Sequence, residues 1–91
     1  MSSIFDLYST GYLKKMLSLG SIDLCYLPDN KSVDSYMYQV VEVVKVKQAT
    51  GDWLDGICYK GKGEVFVRTL DMFPEDKWKF KVNLGGYYVL S

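Results

Sequence analysis

From Lys77 to Leu84 the chain alternates without a break: Trp78, Phe80, Val82 and Leu84 are apolar, while Lys77, Lys79, Lys81 and Asn83 are polar. A period of two sends successive side chains to opposite faces of an extended backbone, so this stretch is a half-buried β-strand and the fold must supply a sheet with one dry face. A strand of this kind cannot stand alone. The rest of the chain must complete the sheet.

Gly85-Gly86 followed by Tyr87 to Leu90 signals a tight hairpin into a last strand. Ile22, Leu24 and Tyr26 alternate with Asp23 and Cys25 and run into a Pro28-Asp29-Asn30 turn. Tyr36 to Lys47 is long and rich in β-branched residues, but neither parity is cleanly apolar, which predicts a bulge near Val41 and Glu42. Thr50-Gly51-Asp52 and Lys60-Gly61-Lys62-Gly63 punctuate two further strands. Strands are therefore expected over 22–27, 36–47, 53–60, 64–70, 77–84 and 87–90. Asp71 to Asp76 is a connector, because Pro74 cannot donate to a ladder.

Ahead of the strands, Ile4, Phe5, Leu7, Tyr8, Tyr12, Leu13, Met16, Leu17 and Leu19 recur at three- and four-residue steps. That spacing predicts an amphipathic helix over about 4–18, with Ser3 and Asp6 as a short capping box, Gly20 as a left-handed stop and Gly11 as its weak point. The expected fold class is mainly β (α+β): one domain over 1–91, with the helix followed by a five- or six-stranded antiparallel meander curled into a small barrel. Fourteen rings, from eight tyrosines, four phenylalanines and two tryptophans, are enough to fill it.

The stretch from Tyr38 to about Lys77 carries Tyr38 and Val40, then Thr50-Gly51, then Ile57 and Tyr59, then Phe66-Val67-Arg68, Leu70 and Met72-Phe73. In these residues it resembles a family of small bacterial and phage SH3-like β-barrel domains of uncharacterised function. Thr69 stands where that family has proline, and the helix and the Gly85-Gly86 hairpin lie outside the likeness. The resemblance implies an SH3-like barrel. Together with small size and stand-alone architecture, it implies a phage-encoded accessory protein that binds and modulates a host protein, for instance an enzyme.

Function classes are narrowed chiefly by what the chain lacks. Without histidine it has no imidazole metal site, no Ser-His-Asp triad and no histidine switch. The two cysteines, Cys25 and Cys58, have no metal or redox spacing and read as buried thiols. Eleven cations balance eleven anions, so a sequence-blind polyanion binder would need local clustering. No stretch approaches the ~20 apolar residues of a membrane span, and a cytoplasmic protein is expected. The chain reads as a non-enzymatic interaction module with no cofactor.

Three constellations are candidates. Excess apolar surface on the helix (Phe5, Leu7, Tyr12) and the adjacent Tyr87 and Tyr88 form the candidate partner face, for a protein or for a second copy of the chain. The alternative is a single-stranded nucleic-acid or RNA surface. In that reading Lys45, Lys47, Lys60, Lys62, Lys77, Lys79 and Lys81, seven of the eleven cations, form a strip beside aromatic rings; the simpler reading of the same lysines is a solvated face that discourages aggregation. Arg68, the sole arginine, alternates with Phe66 and Leu70 on an apolar face and is expected to form a structural ion pair with a carboxylate of another strand, Glu42 or Asp55.

Overall fold

The computed structural model describes residues 2–28, 36–84 and 87–90, the last four through their backbone pairing. Among the described residues one helix, α1 (Thr10–Leu19), precedes six strands: β1 (Ser21–Tyr26), β2 (Tyr36–Lys47), β3 (Trp53–Gly61), β4 (Glu64–Thr69), β5 (Trp78–Leu84) and β6 (Tyr87–Leu90). A 3-10 turn at Leu70–Met72 separates β4 from β5. All pairings are antiparallel, in a single sheet of order β4-β3-β2-β1-β5-β6.

That order corrects the expectation of a simple meander, because β5 does not follow β4 but returns to the far side of β1. The reason is a match of patterns. Ile22, Leu24 and Tyr26 face Val82, Phe80 and Trp78 in register, so the two most regular alternations in the chain bury their apolar parity on one face. The bulge falls where the broken parity of β2 demands it, between Val40 and Glu42. The β3–β4 turn has Lys62 at φ 54° and Gly63 at φ 78°, and two successive positive values are what a two-residue primed turn requires.

The helix is shorter than its apolar spacing predicts. Ser3 and Asp6 do form the reciprocal cap: the Ser3 N–H donates to Asp6 Oδ2 at 3.0 Å, and the Phe5 N–H donates to Ser3 Oγ at 3.2 Å. They close one turn only, and the helix starts at a second cap, where the Tyr12 N–H donates to Ser9 Oγ at 3.1 Å. The break has a tertiary cause. Ser3 bridges Pro74, the Ile4 N–H donates to the Phe73 carbonyl at 2.9 Å, and Phe5 enters the core with its ring stacked on Phe80 at 5.2 Å. At the other end Gly20 is extended, with φ −170°, rather than left-handed. It is needed there because a Cβ would lie 1.8 Å from the Asn83 carbonyl oxygen of β5.

The core is one cluster on the helix-facing side of the sheet, including Leu13, Ile22, Leu24, Ile57, Phe73, Trp78, Phe80 and Val82. Phe73 presents its edge to Trp78 at 4.9 Å and to Phe5 at 5.2 Å. Tyr38 borders this cluster, edge-on to Tyr59 at 5.4 Å. Burial, reinforced by the charge that Tyr59, Tyr36 and Tyr26 would carry if ionised, raises the Tyr38 phenol above its ordinary 10.0, against the pull of Arg68. A raised phenol means that the folded state holds its proton more tightly. Its contribution to stability is therefore complete below pH 10.0 and is lost as pH rises through the raised value. Melting curves taken from about pH 9 to about pH 12 should show a steep alkaline loss of stability that is shallower in Tyr38→Phe; equal slopes in the two proteins would remove Tyr38 as a source.

Candidate functional site

The residues expected at the partner face separate. Phe5 is 3% exposed and belongs to the core, so it is withdrawn from the partner face. Its neighbour Leu7, two residues on in the same turn, points the other way and is 91% exposed. Tyr12 is half-buried, its ring against that of Tyr8 at 5.1 Å, and Tyr8 in turn meets Phe80 edge-on at 5.2 Å. The side chains of Tyr87 and Tyr88 lie outside the described residues, as do the turns at Asp29-Asn30 and Gly85-Gly86.

Leu7 stands on the wall of an open groove of ≈ 630 Å3 between the N-terminal turn and the connector into β5. Ile4, Tyr8 and Trp78 supply its apolar lining, Asp6, Glu75 and Asp76 its anions, and Lys79 a cation. The walls are held together by backbone bonds: the Glu75 N–H donates to the Ser2 carbonyl at 3.0 Å, beside the bond from Ile4 to Phe73. Asp6 is further fixed by the Ser3 N–H. An apolar side chain at the rim with three carboxylates around it suits an extended or helical segment that offers an apolar residue between cations. Sequence reading reached Leu7 through its surplus on the helix, but the meeting of Asp6 with Glu75 and Asp76 required the fold.

The seven lysines do not form one strip. Lys60 and Lys81 lie on the outer face of the sheet, in a row running Lys81, Asp23, Gln39, Lys60 and Val65 across five strands, and Lys79 lies one step along, beside Cys25. Lys45 and Lys47 pair with Asp55 and Trp53 on the opposite parity, the one that carries Ile57 into the core, at the far end of the β2–β3 hairpin. Lys45 is in an ion pair with Asp55, Lys47 lies over the Trp53 ring at 5.8 Å, and Lys62 lies over the Tyr36 ring at 3.2 Å. Lys77 is exposed in the turn before β5. A nucleic-acid backbone could not follow all of these positions along one face.

Arg68 is also reassigned. The bulge between Val40 and Glu42 shifts the parity of β2, so Glu42 sits opposite Cys58 on the outer face while Arg68, opposite Ile57, points inward. Its Nε donates to Tyr59 Oη at 3.0 Å and its Nη1 to the Met72 carbonyl at 3.0 Å, with the guanidinium 5.4 Å from the Trp78 ring centroid. Tyr59 is a buried ring whose hydroxyl needs a partner, and the sole arginine provides it. The expected ion pair with Glu42 is replaced by a cation that satisfies a phenol and a carbonyl.

Among the described residues no group of three or more acidic or cysteine side chains is placed to hold a metal ion, and no helix is long and apolar enough to cross a membrane. Cys25 and Cys58 are unpaired and half-buried, both on the outer parity of the sheet. Comparison of the chain with protein-family models, curated proteins and solved structures finds no match.

Proposed function

We propose that the protein is a non-enzymatic interaction module whose groove beside Leu7 receives a segment of another protein. The observation that carries this reading is Leu7 itself: a leucine almost wholly in water, on a turn whose next apolar neighbour, Phe5, is buried. Exposed apolar groups bordered by charge are where protein interfaces form. The lining anions select a partner segment with cations flanking an apolar anchor. A phage-encoded protein that modulates a host protein through such a segment fits this reading.

We also infer that the sheet curls as in the SH3-like barrels its middle resembles. What supports this is the return of β5 to β1, the bulge that bends β2 and the 3-10 turn between β4 and β5.

Affinity capture from lysate with and without nuclease, run in parallel with wild type, Leu7→Lys and Glu75→Lys, tests the function. Both substitutions are at exposed positions and should leave the folding free energy within the ±0.5 kcal/mol typical of surface changes. A protein retained by wild type and lost from both variants is the expected result. Retention by Leu7→Lys, or capture that disappears with nuclease and falls steeply with salt, would refute it, the latter in favour of a nucleic-acid ligand.

A further inference from the structure

A second surface, far from the groove in the strand order, is equally incomplete. Among the described residues, β4 is hydrogen-bonded to β3 on one side only and forms one margin of the sheet. Margins of soluble sheets are normally blunted by lysine, proline, a bulge or a covering loop. Between Glu64 and Thr69 the sequence Glu-Val-Phe-Val-Arg-Thr contains no lysine and no proline, and its pairing with β3 runs without a register shift. Its outward side chains are Val65, 67% exposed, and Val67, 53% exposed.

We propose that this margin is where a second copy of the chain docks, β4 against β4, antiparallel about Phe66. The register follows from symmetry. A two-fold axis normal to the sheet keeps inner parity facing inner parity, so it must pass through a residue and not between two. Placed at Phe66, it sets Val65 of each copy against Val67 of the other on the outer face. On the inner face it sets Glu64 against Arg68, opposite charges at both ends. Shifting the axis to Val65 or to Val67 breaks both matches. Arg68 uses two of its five N–H donors on Tyr59 and Met72, which leaves donors directed at neither. Pairing continues a six-stranded sheet into one of twelve, and the valines of both copies join into one strip.

The test is sedimentation equilibrium of the intact chain at concentrations up to about 0.5 mM, where even a dimer with millimolar Kd is visible. Wild type should self-associate. Val65→Lys with Val67→Lys puts ammonium against ammonium at both cross-strand positions and should raise Kd roughly tenfold or more. Val65→Glu with Val67→Lys keeps the same two sites polar but opposes unlike charges, and only in the Phe66 register should it restore association. Glu64→Lys, at an exposed position beside the turn, should weaken the dimer on its own. Thermal melts confirm that each variant folds. A wild type that stays monomeric over this range overturns the proposal. So do equal association by the two valine double variants and a dimer that Leu7→Lys dissolves while Val65→Lys with Val67→Lys leaves it intact.

Discussion

Phe73→Ala should cost about 3 to 5 kcal/mol, as large-to-small changes of buried aromatic residues do. A domain of this length has roughly 5 to 14 kcal/mol in total, so this one substitution removes between about a fifth of the stability and all of it. Phe73 is 0% exposed, and its ring meets Phe5, Tyr59 and Trp78 at 5.2, 5.8 and 4.9 Å. The hole would open where the N-terminal turn, β3 and β5 converge. Residues 73 and 74 are also tied by backbone to Ile4 and Ser3, which limits how far the walls can collapse inward. Urea unfolding followed by tryptophan fluorescence should show a much lower midpoint, with Trp78 reporting from beside the cavity. An unchanged midpoint would mean that Phe73 is not the centre of the core.

The second large effect is expected from the smallest change, Gly20→Ala. The added methyl would sit 1.8 Å from the Asn83 carbonyl oxygen, 2.9 Å from its carbon and 3.2 Å from Leu84 Cα. All three are backbone atoms of β5, which cannot rotate out of the way as a side chain can. Relief requires moving the end of α1 away from the sheet, and Leu13 and Met16 would move with it. Overpacking of this sort typically costs 1 to 3 kcal/mol and more where the neighbours are rigid. The expected readout is a clear fall in melting temperature with loss of hydrogen-exchange protection in α1. Full protection in the variant would show that the approach of helix and strand is looser than 1.8 Å implies. Gly11→Ala is the internal control, since the nearest atom to its Cβ is Ser9 Oγ at 3.8 Å, so space is available there.

Strand positions were legible in the sequence because alternation is a local signal, and the bulge at Val40/Glu42 was legible because it is where alternation fails. Strand order was not, since β5 could complement either β4 or β1 by pattern alone, and only three-dimensional packing decides between them. The helix start was ambiguous for a definite reason: the chain contains two workable caps, Ser3 and Ser9, and the choice rests on Phe5 reaching Phe80, a contact 75 positions away. Arg68 was placed on the correct face but given the wrong partner, because one bulged residue reverses the side on which Glu42 emerges. Of the candidate site, Leu7 was visible as surplus. The meeting of Asp6 with Glu75 and Asp76 beside it was not, because these residues are about 70 positions apart in sequence.

The clasp between residues 2–4 and 73–75 has a consequence for the order of events during synthesis. Translation proceeds at about 5 to 20 residues per second, so Phe5 waits several seconds for its ring partners Phe73 and Phe80 to be made. Until then α1 and the β1–β2–β3–β4 hairpins can form around a core with its centre missing, and Phe5 and Leu7 are both available to other molecules. Contacts of such sequence separation form late and slow the final step. Residues 2–4 can therefore be placed only after residues 73–75 exist, and they then turn from a sticky, unplaced segment into the lock on the connector into β5.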